Sequence, residues 1–275
     1  VQPALEVVRR LHHEDLAAVR AVGRMLPALA EASTLVAEAL RAGGRLVYVG
    51  AGTSGRLGAL DAAELPPTFG TPPSRARAVL AGGPRALLRA VEGAEDDREA
   101  GVAAVARLRA GPRDVVCGIS ASGTTPFVRA ALREAKARGA RTLLVTCNPA
   151  GFAPGVADVG LVADTGPELV AGSTRLKAGT ATKLVLNALS TAAMVALGKV
   201  YRGRMVDVRA TNVKLRARAA RMVADLTGRP APAARRLLAR AGGSVRLAVA
   251  MHLTGLPAAR ARQALTARGL RELER

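Results

Sequence analysis

The sequence predicts an α/β protein. Its core is a five-stranded parallel sheet of order 2-1-3-4-5 flanked by helices, and a small C-terminal helical module follows. Three observations lead there. Short apolar runs of strand length alternate with helical patterns from residue 45 to about 200. Two turns rich in Gly, Ser and Thr each lead from such a run into a helix. After Asp207 the strand signals stop.

Residues 4–42 read as two helices, with apolar residues at helical spacing and Gly43-Gly44 as the stop. "RLVYVG" (45–50) is a strand and 54–65 a helix. "RAVLAG" (77–82) is a strand, followed by helical segments over 84–92 and 95–110. "DVVCGIS" (114–120) is a strand and 125–138 a helix. "RTLLVT" (141–146) and "DVGLVA" (158–163) are strands, and a long helix covers about 177–199. Continuous apolar runs separated by helices are the signature of a buried parallel sheet. Residues 211–275 read as about four short helices, broken at Gly228-Arg229-Pro230, Gly242-Gly243 and Gly255-Leu256-Pro257. The expected domains are therefore 1–44 (N-terminal helices), 45–207 (the sheet domain) and 208–275 (the helical module).

Composition narrows the function. Hydrophobic residues make up 49% of 275, enough for a substantial core, but aromatics are only 2% and Trp is absent. The core is thus built from Ala, Val and Leu, and stacking of nucleic-acid bases on aromatic platforms is disfavoured. The formal charge is +20, and residues 201–275 hold 17 Lys and Arg against four Asp and Glu. Such a balance suits phosphorylated ligands or nucleic acid, or simply solvated arginines on helix faces. Cys117 and Cys147 each end an apolar run, which fits buried, reduced thiols in a cytoplasmic protein. No C-x-x-C and no metal-ligand spacing occur. No secretory leader is legible, and the uncharged stretch Leu184 to Gly198 is shorter than the ~20 residues of a membrane span. The chain opens on Val1 rather than Met, so a preceding segment is expected.

The first turn, Gly50-Ala51-Gly52-Thr53-Ser54-Gly55, matches the dinucleotide fingerprint G-x-G-x-x-G. That fingerprint needs an acidic residue about 20 positions on for the ribose, and residues 65–91 contain none. Arg75 and Arg77 leave room for a 2′-phosphate, but the adjacent hydroxyls of Thr53 and Ser54 do not suit a dinucleotide. A second turn, Ser120-Ala121-Ser122-Gly123-Thr124-Thr125, follows the third strand. In a 2-1-3-4-5 sheet the turns after strands one and three flank the switch point where open sheets bind ligands. Helix N-termini there present N–H groups to an anion. Ser54, Ser120, Ser122 and Thr125 add hydroxyls. Helix capping is the plainer use of one such turn; two in one chain favour a phosphate site.

"SASGTT" and "GAGTSG" resemble the phosphosugar turns of sugar isomerase (SIS) domains. The longer strings "GAGTSGRLGALDAAELPPTFG", "AVEGAEDD" and "GSTRLKAGTATKLVLNALSTAAMVALGKVYRGRMVDVRATNVKLRARA" resemble the N-acetylmuramic acid 6-phosphate etherase family. The likeness runs from Glu14-Asp15 to the helical tail, whose "PAPAARRLLARAGGSVRLAVAMHLTG" is similar to a UBA-like bundle. Two departures stand out. The family has a further N-terminal segment, and it usually carries Arg where this chain has Thr124.

The resemblance implies a SIS-type sheet and cleavage of the D-lactyl ether at C3 of a phosphorylated amino sugar. It implies a homodimer, and no cofactor or metal. Elimination from the open-chain aldehyde, then addition of water, requires a general base at C2 and a general acid at the leaving oxygen. His12, His13 and His252 all lie outside the α/β core and read as structural. In the family the positions of Glu64 and Glu95 form the proposed catalytic pair, with Glu64 the acid and Glu95 the base. Gly52, Thr53, Ser54, Gly55 and Arg56 of the first turn, with Ser120, Ser122, Gly123 and Thr125 of the second, are the expected substrate contacts. Glu168 and Lys177 are expected to complete the pocket. An acid role for Glu64 needs a raised pKa, for which burial behind Leu65-Pro66-Pro67 and repulsion from the substrate's carboxylate and phosphate are the expected causes. Read from the residues alone, without the resemblance, Glu64 is better taken as a solvated helix-end carboxylate and Glu95 as a helix N-terminal charge. Two other functions stay open: a sugar-phosphate-sensing regulator, with nucleic acid at the basic tail, and a phosphosugar isomerase.

Overall fold

The computed structural model describes residues 3–208 and 213–274. The start of the expected helical region at 211 falls outside them, as do residues 209–212 of the "VDVRATNVKLRARA" motif. Two compact units emerge. The first comprises Val1–Ala63 and Pro73–Ala193, the second Glu64–Pro72 and Met194–Arg275.

The first unit opens with helices α1 (Ala4–Gly23) and α2 (Leu26–Arg41). Its sheet holds β1 (Leu46–Gly50), β2 (Ala76–Leu80), β3 (Val115–Ile119), β4 (Arg141–Thr146) and β5 (Val159–Val162) in the order β2-β1-β3-β4-β5. All four pairings are parallel. Every residue of β1 and β3 is buried, whereas the edge strands β2 and β5 are buried only in part. This explains why the central strands read as unbroken apolar runs. Helices α4 (Arg98–Leu108) and α5 (Pro126–Ala137) pack with them. Phe127, Val128, Ala131, Leu132 and Ala135 of α5 form one buried stripe, with Val105 of α4 and Val47, Val116 and Leu144 of the sheet in the same cluster. Each fully buried Val, Leu or Phe contributes about 1.5–3 kcal/mol.

Three local readings are corrected. The segment 84–92 is a single 3-10 turn, Pro84–Leu87, and α4 starts only after Asp97, whose carboxylate accepts the Ala100 N–H at 2.8 Å. The helix expected over 54–65 is α3, Gly52–Phe69, and it runs through Pro66 and Pro67. Proline removes one helix donor at each position. Here the last turn still closes, with the Gly70 N–H on the Pro66 carbonyl at 3.0 Å, and Leu65 and Phe69 are both buried one turn apart. The long helix α6 (Lys177–Ala196) stops before a two-stranded hairpin, β6 (Val200–Tyr201) and β7 (Arg204–Met205). Two-residue strands leave too little alternation to be legible in sequence.

In the second unit the hairpin joins α7 (Val213–Thr227), α8 (Ala231–Arg240), α9 (Val245–Thr254) and α10 (Ala258–Leu273) around Met222, Val223, Leu237, Val249 and Leu270. Asp207 ties it together, accepting from Lys199 Nζ at 2.8 Å and Arg246 Nη1 at 3.1 Å. The Tyr201 hydroxyl donates to Glu274 at 2.7 Å.

Candidate active site

Gly50 of β1 is in register with Ile119 of β3, so the two strands end side by side and their turns are neighbours. The first turn is close-packed on itself. A Cβ at Gly50 would sit 2.7 Å from the Gly55 nitrogen, and one at Gly55 would sit 2.6 Å from the Gly50 carbonyl oxygen. Only glycine permits that approach, which brings the α3 N-terminus over the end of β1. Gly52 holds a φ of 50°. Thr53 lies beside the first turn of α6, where a Cβ at Gly179 would be 3.9 Å from its methyl group. Arg56 donates Nε to the Leu87 carbonyl at 3.0 Å, so it braces the Pro84–Leu87 turn.

The second turn is a hydroxyl cluster. Ser120 Oγ lies 2.7 Å from Thr125 Oγ1 and 3.3 Å from Ser122 Oγ, and it accepts the Gly123 N–H at 3.1 Å. Ser122 Oγ accepts from the Thr124 N–H at 3.2 Å and the Thr124 hydroxyl at 2.9 Å. Gly123, at a φ of 73°, is pressed against Gly151: a Cβ would meet its Cα at 2.6 Å. Arg129 fastens the turn from outside, donating to the Gly123 carbonyl at 2.8 Å and the Gly151 carbonyl at 3.2 Å. Arg129 was missed in sequence, although a cation in the first turn of a helix, where the dipole disfavours it, is a readable signal.

Glu95 reaches this cluster through the backbone. Its carbonyl accepts the N–H of Phe127, the second residue of α5, at 3.0 Å, and its side chain is exposed. Strand order alone, with Glu95 following β2 and β2 lying beside β1, leads one to expect Glu95 near the first turn. The end of β2 does adjoin that turn, with the Ala81 N–H on the Gly50 carbonyl at 3.0 Å, but Glu95 itself is pinned at the second. Glu64 belongs to the tail of α3 that groups with the second unit. It is exposed, not buried behind Leu65, Pro66 and Pro67, because the continuing helix turns Leu65 and Phe69 inward instead.

Glu168 and Lys177 do meet. The Glu168 carboxylate accepts the Lys177 N–H at 3.3 Å and the Ala178 N–H at 3.0 Å, capping α6. Lys177 is 4% exposed and pairs its ammonium with Glu14 of α1. The hydrogen bond from Lys177 holds the Glu14 carboxyl below its ordinary range. Asp15 accepts from the Thr180 hydroxyl at 2.9 Å. Helix α1 therefore braces the start of α6, a role that sequence reasoning did not assign to Glu14 and Asp15. Behind α3, Asp61 is 8% exposed and accepts from the Tyr48 hydroxyl at 2.7 Å and the Ser190 hydroxyl at 3.1 Å. Burial raises its pKa, against the two hydroxyls. Among the described residues no group of His, Cys, Asp and Glu gathers as a metal site, and no helix is long and apolar enough to cross a membrane.

Comparison with known proteins agrees with this geometry. Residues 28–136 match the glucokinase regulatory protein N-terminal SIS domain, and residues 99–192 match the SIS domain. A phosphoheptose isomerase from Francisella tularensis superposes with a TM-score of 0.51 at 17% identity, over 70% of this chain and 100% of that one. This likeness is one of fold. Two N-acetylmuramic acid 6-phosphate etherases are closer in sequence. That of Symbiobacterium thermophilum is 55% identical over 92% of this chain and 84% of its own length. That of Nostoc punctiforme is 55% identical over 92% and 82%.

Proposed function

Since the chain belongs to the N-acetylmuramic acid 6-phosphate etherase family, we propose the catalytic course by which its residues perform the etherase reaction. The protein is an enzyme that cleaves the D-lactyl ether of N-acetylmuramic acid 6-phosphate to N-acetylglucosamine 6-phosphate and D-lactate. The observation that carries the residue assignment is the pair of adjoining hydroxyl turns, with the Glu95 loop hydrogen-bonded to the first turn of the helix that the second one launches.

The 6-phosphate is held by the N–H groups and hydroxyls of the two turns, at the N-termini of α3 and α5. In the open-chain aldehyde the carbonyl acidifies C2–H. Glu95, exposed at the turn, removes that proton as general base. The electron pair forms the C2–C3 double bond and the C3–O bond breaks. Glu64 supplies the proton that makes the departing oxygen the hydroxyl of lactate. Water then adds at C3 of the conjugated aldehyde and restores the proton at C2. Nothing in this course calls for a metal or cofactor, and activity is expected to survive EDTA and dialysis.

The ten residues from Ser54 to Glu64 measure about 15 Å along α3, longer than the span from the 6-phosphate to the C3 ether of one sugar. We therefore assign Glu64 to the site of a second copy in a homodimer. The exposed apolar residues Leu5, Val8, Leu16 and Val19 of α1 support association, since solvated helices seldom carry such a stripe. Recovery of cell-wall sugars in the cytoplasm is the setting that fits this substrate and the two unpaired, buried cysteines.

Incubation with N-acetylmuramic acid 6-phosphate in D₂O tests the reaction. Release of lactate with one deuteron at C2 of the product is expected. A ketose product without lactate would make the protein an isomerase instead.

A further inference from the structure

A cavity of about 360 Å³ lies at the opposite edge of the sheet, where the strands begin. Arg45, Arg75, Arg109 and Arg113 line it, and Asp114 is its only acidic residue. The sheet order gathers three of these arginines. Arg75 precedes β2, Arg45 precedes β1 and Arg113 stands two residues ahead of β3, and these strands are neighbours about 4.8 Å apart. Arg109, the residue that follows α4, belongs to the same lining.

Arg45 is fully engaged. It bonds Asp114 at 2.6 and 3.1 Å and donates to the Leu108 and Arg109 carbonyls at 2.9 and 3.1 Å. Asp114 is neutralised by that pairing. Arg75 gives Nη1 to the Gly44 carbonyl at 2.8 Å and has no carboxylate partner. Arg109 and Arg113 make no ion pair and no side-chain hydrogen bond among the described residues. Three arginines without a carboxylate partner thus line one concavity, Arg75 half-buried and Arg109 and Arg113 exposed at its rim. Charges carried only for solubility are expected on open helix faces, where repulsion is least; a concave wall of one sign concentrates its field instead.

We propose that this cavity is a second anion site that takes a small molecule bearing a pyrophosphate group. Guanidinium forks bind phosphate oxygens in pairs. A pyrophosphate near neutral pH carries about three negative charges, equal to the unbalanced guanidiniums. The volume stands at the small end of the ~300–1,000 Å³ of ligand pockets, which suits such a group and not a nucleic-acid strand. The site is separate from the phosphosugar turns, since a five-residue strand sets the two edges of the sheet about 16 Å apart.

Calorimetric titration of the full chain with inorganic pyrophosphate, and separately with ADP, tests this. The variants are Arg109→Gln/Arg113→Gln and, for the phosphosugar turns, Ser54→Ala/Ser122→Ala. The arginine pair is expected to lose affinity for pyrophosphate by about tenfold or more, and the serine pair to keep it. Equal affinities for ADP and pyrophosphate would place recognition in the diphosphate alone, and tighter ADP binding would make the source a nucleotide; either supports the site. Loss in the serine pair with the arginine pair unaffected would assign the anion to the turns and overturn the proposal. So would binding that both pairs retain. Thermal melting checks each variant, and Arg113→Gln alone carries the test if the double variant melts early.

Discussion

The N–H of Phe127 donates to the carbonyl of Glu95 at 3.0 Å, across 32 residues of sequence. This single bond ties the acid-rich loop after β2 to the helix launched by the second hydroxyl turn. A carboxylate expected near one phosphate turn is thereby held at the other, with its side chain exposed. The peptide bond, not the carboxylate, fixes the position, so the side chain can be changed without releasing the loop.

This makes Glu95→Gln a clean test of the proposed base. The variant is expected to fold as the parent does and to lose both lactate release and exchange of C2–H with D₂O. Glu64→Gln is expected to stop lactate release while exchange continues. Normal lactate release by both variants would place the chemistry elsewhere.

If Glu64 serves the site of a second copy, the two inactive variants complement each other. Mixed dimers of Glu64→Gln and Glu95→Gln subunits contain one intact site in two. Mixing under conditions that exchange subunits should restore activity, up to about a quarter of the parent level when half of all dimers are mixed. No recovery in dimers shown to have exchanged would put both carboxylates in one chain's site.

Ser122→Ala is expected to raise KM for the phosphosugar with little change in melting temperature. The hydroxyl is exposed and bonded only to Thr124 and Ser120 within the chain, so its loss leaves no buried group unpaired. A hydrogen bond to a charged phosphate contributes about 1.5–3 kcal/mol, which corresponds to roughly a 10- to 150-fold weakening measured by titration or kinetics.

Asp114 links acid stability to the Arg45 cluster. Burial pushes its carboxyl up, but the Arg45 guanidinium and the Gly111 N–H outweigh this and hold it below the ordinary range. The stability it supplies is therefore present in full above the unfolded value of ~3.9 and is lost as pH falls through the lower folded value. Asp114→Asn should cost about 3 kcal/mol at pH 7, at the low end for a buried pair because Arg45 is a quarter exposed. The deficit should shrink below about pH 4. Denaturant melts at both pH values measure it, and a deficit that does not change with pH would remove the ion pair from the explanation.

The two thiols should be silent in the folded protein. Burial raises the Cys117 thiol far above its usual range and pushes Cys147 up to about 11. Neither is expected to react with a thiol reagent at pH 8, and denaturation should expose both. Rapid labelling of the native chain would show that the strand ends open.

Much of this protein was determined locally. Runs such as "LVYVG" and "VVCGI" must be buried strands, since they are apolar on both faces. The glycines at 50, 55 and 123 mark turns where no Cβ fits. Periodicity and turn chemistry act between near neighbours, so the strands and their hydroxyl turns were legible from sequence, while the order of the sheet rested on the need to set the two turns side by side and on the likeness to SIS domains. The tertiary structure decided what depends on distant partners. Helix α3 passes through Pro66 and Pro67 with Leu65 and Phe69 both buried, which leaves Glu64 in solvent. Lys177 finds Glu14 163 residues away, Asp61 is enclosed by Tyr48 and Ser190, and Glu95 is pinned by Phe127. No local propensity encodes such pairs, because each exists only once packing has brought its two segments together.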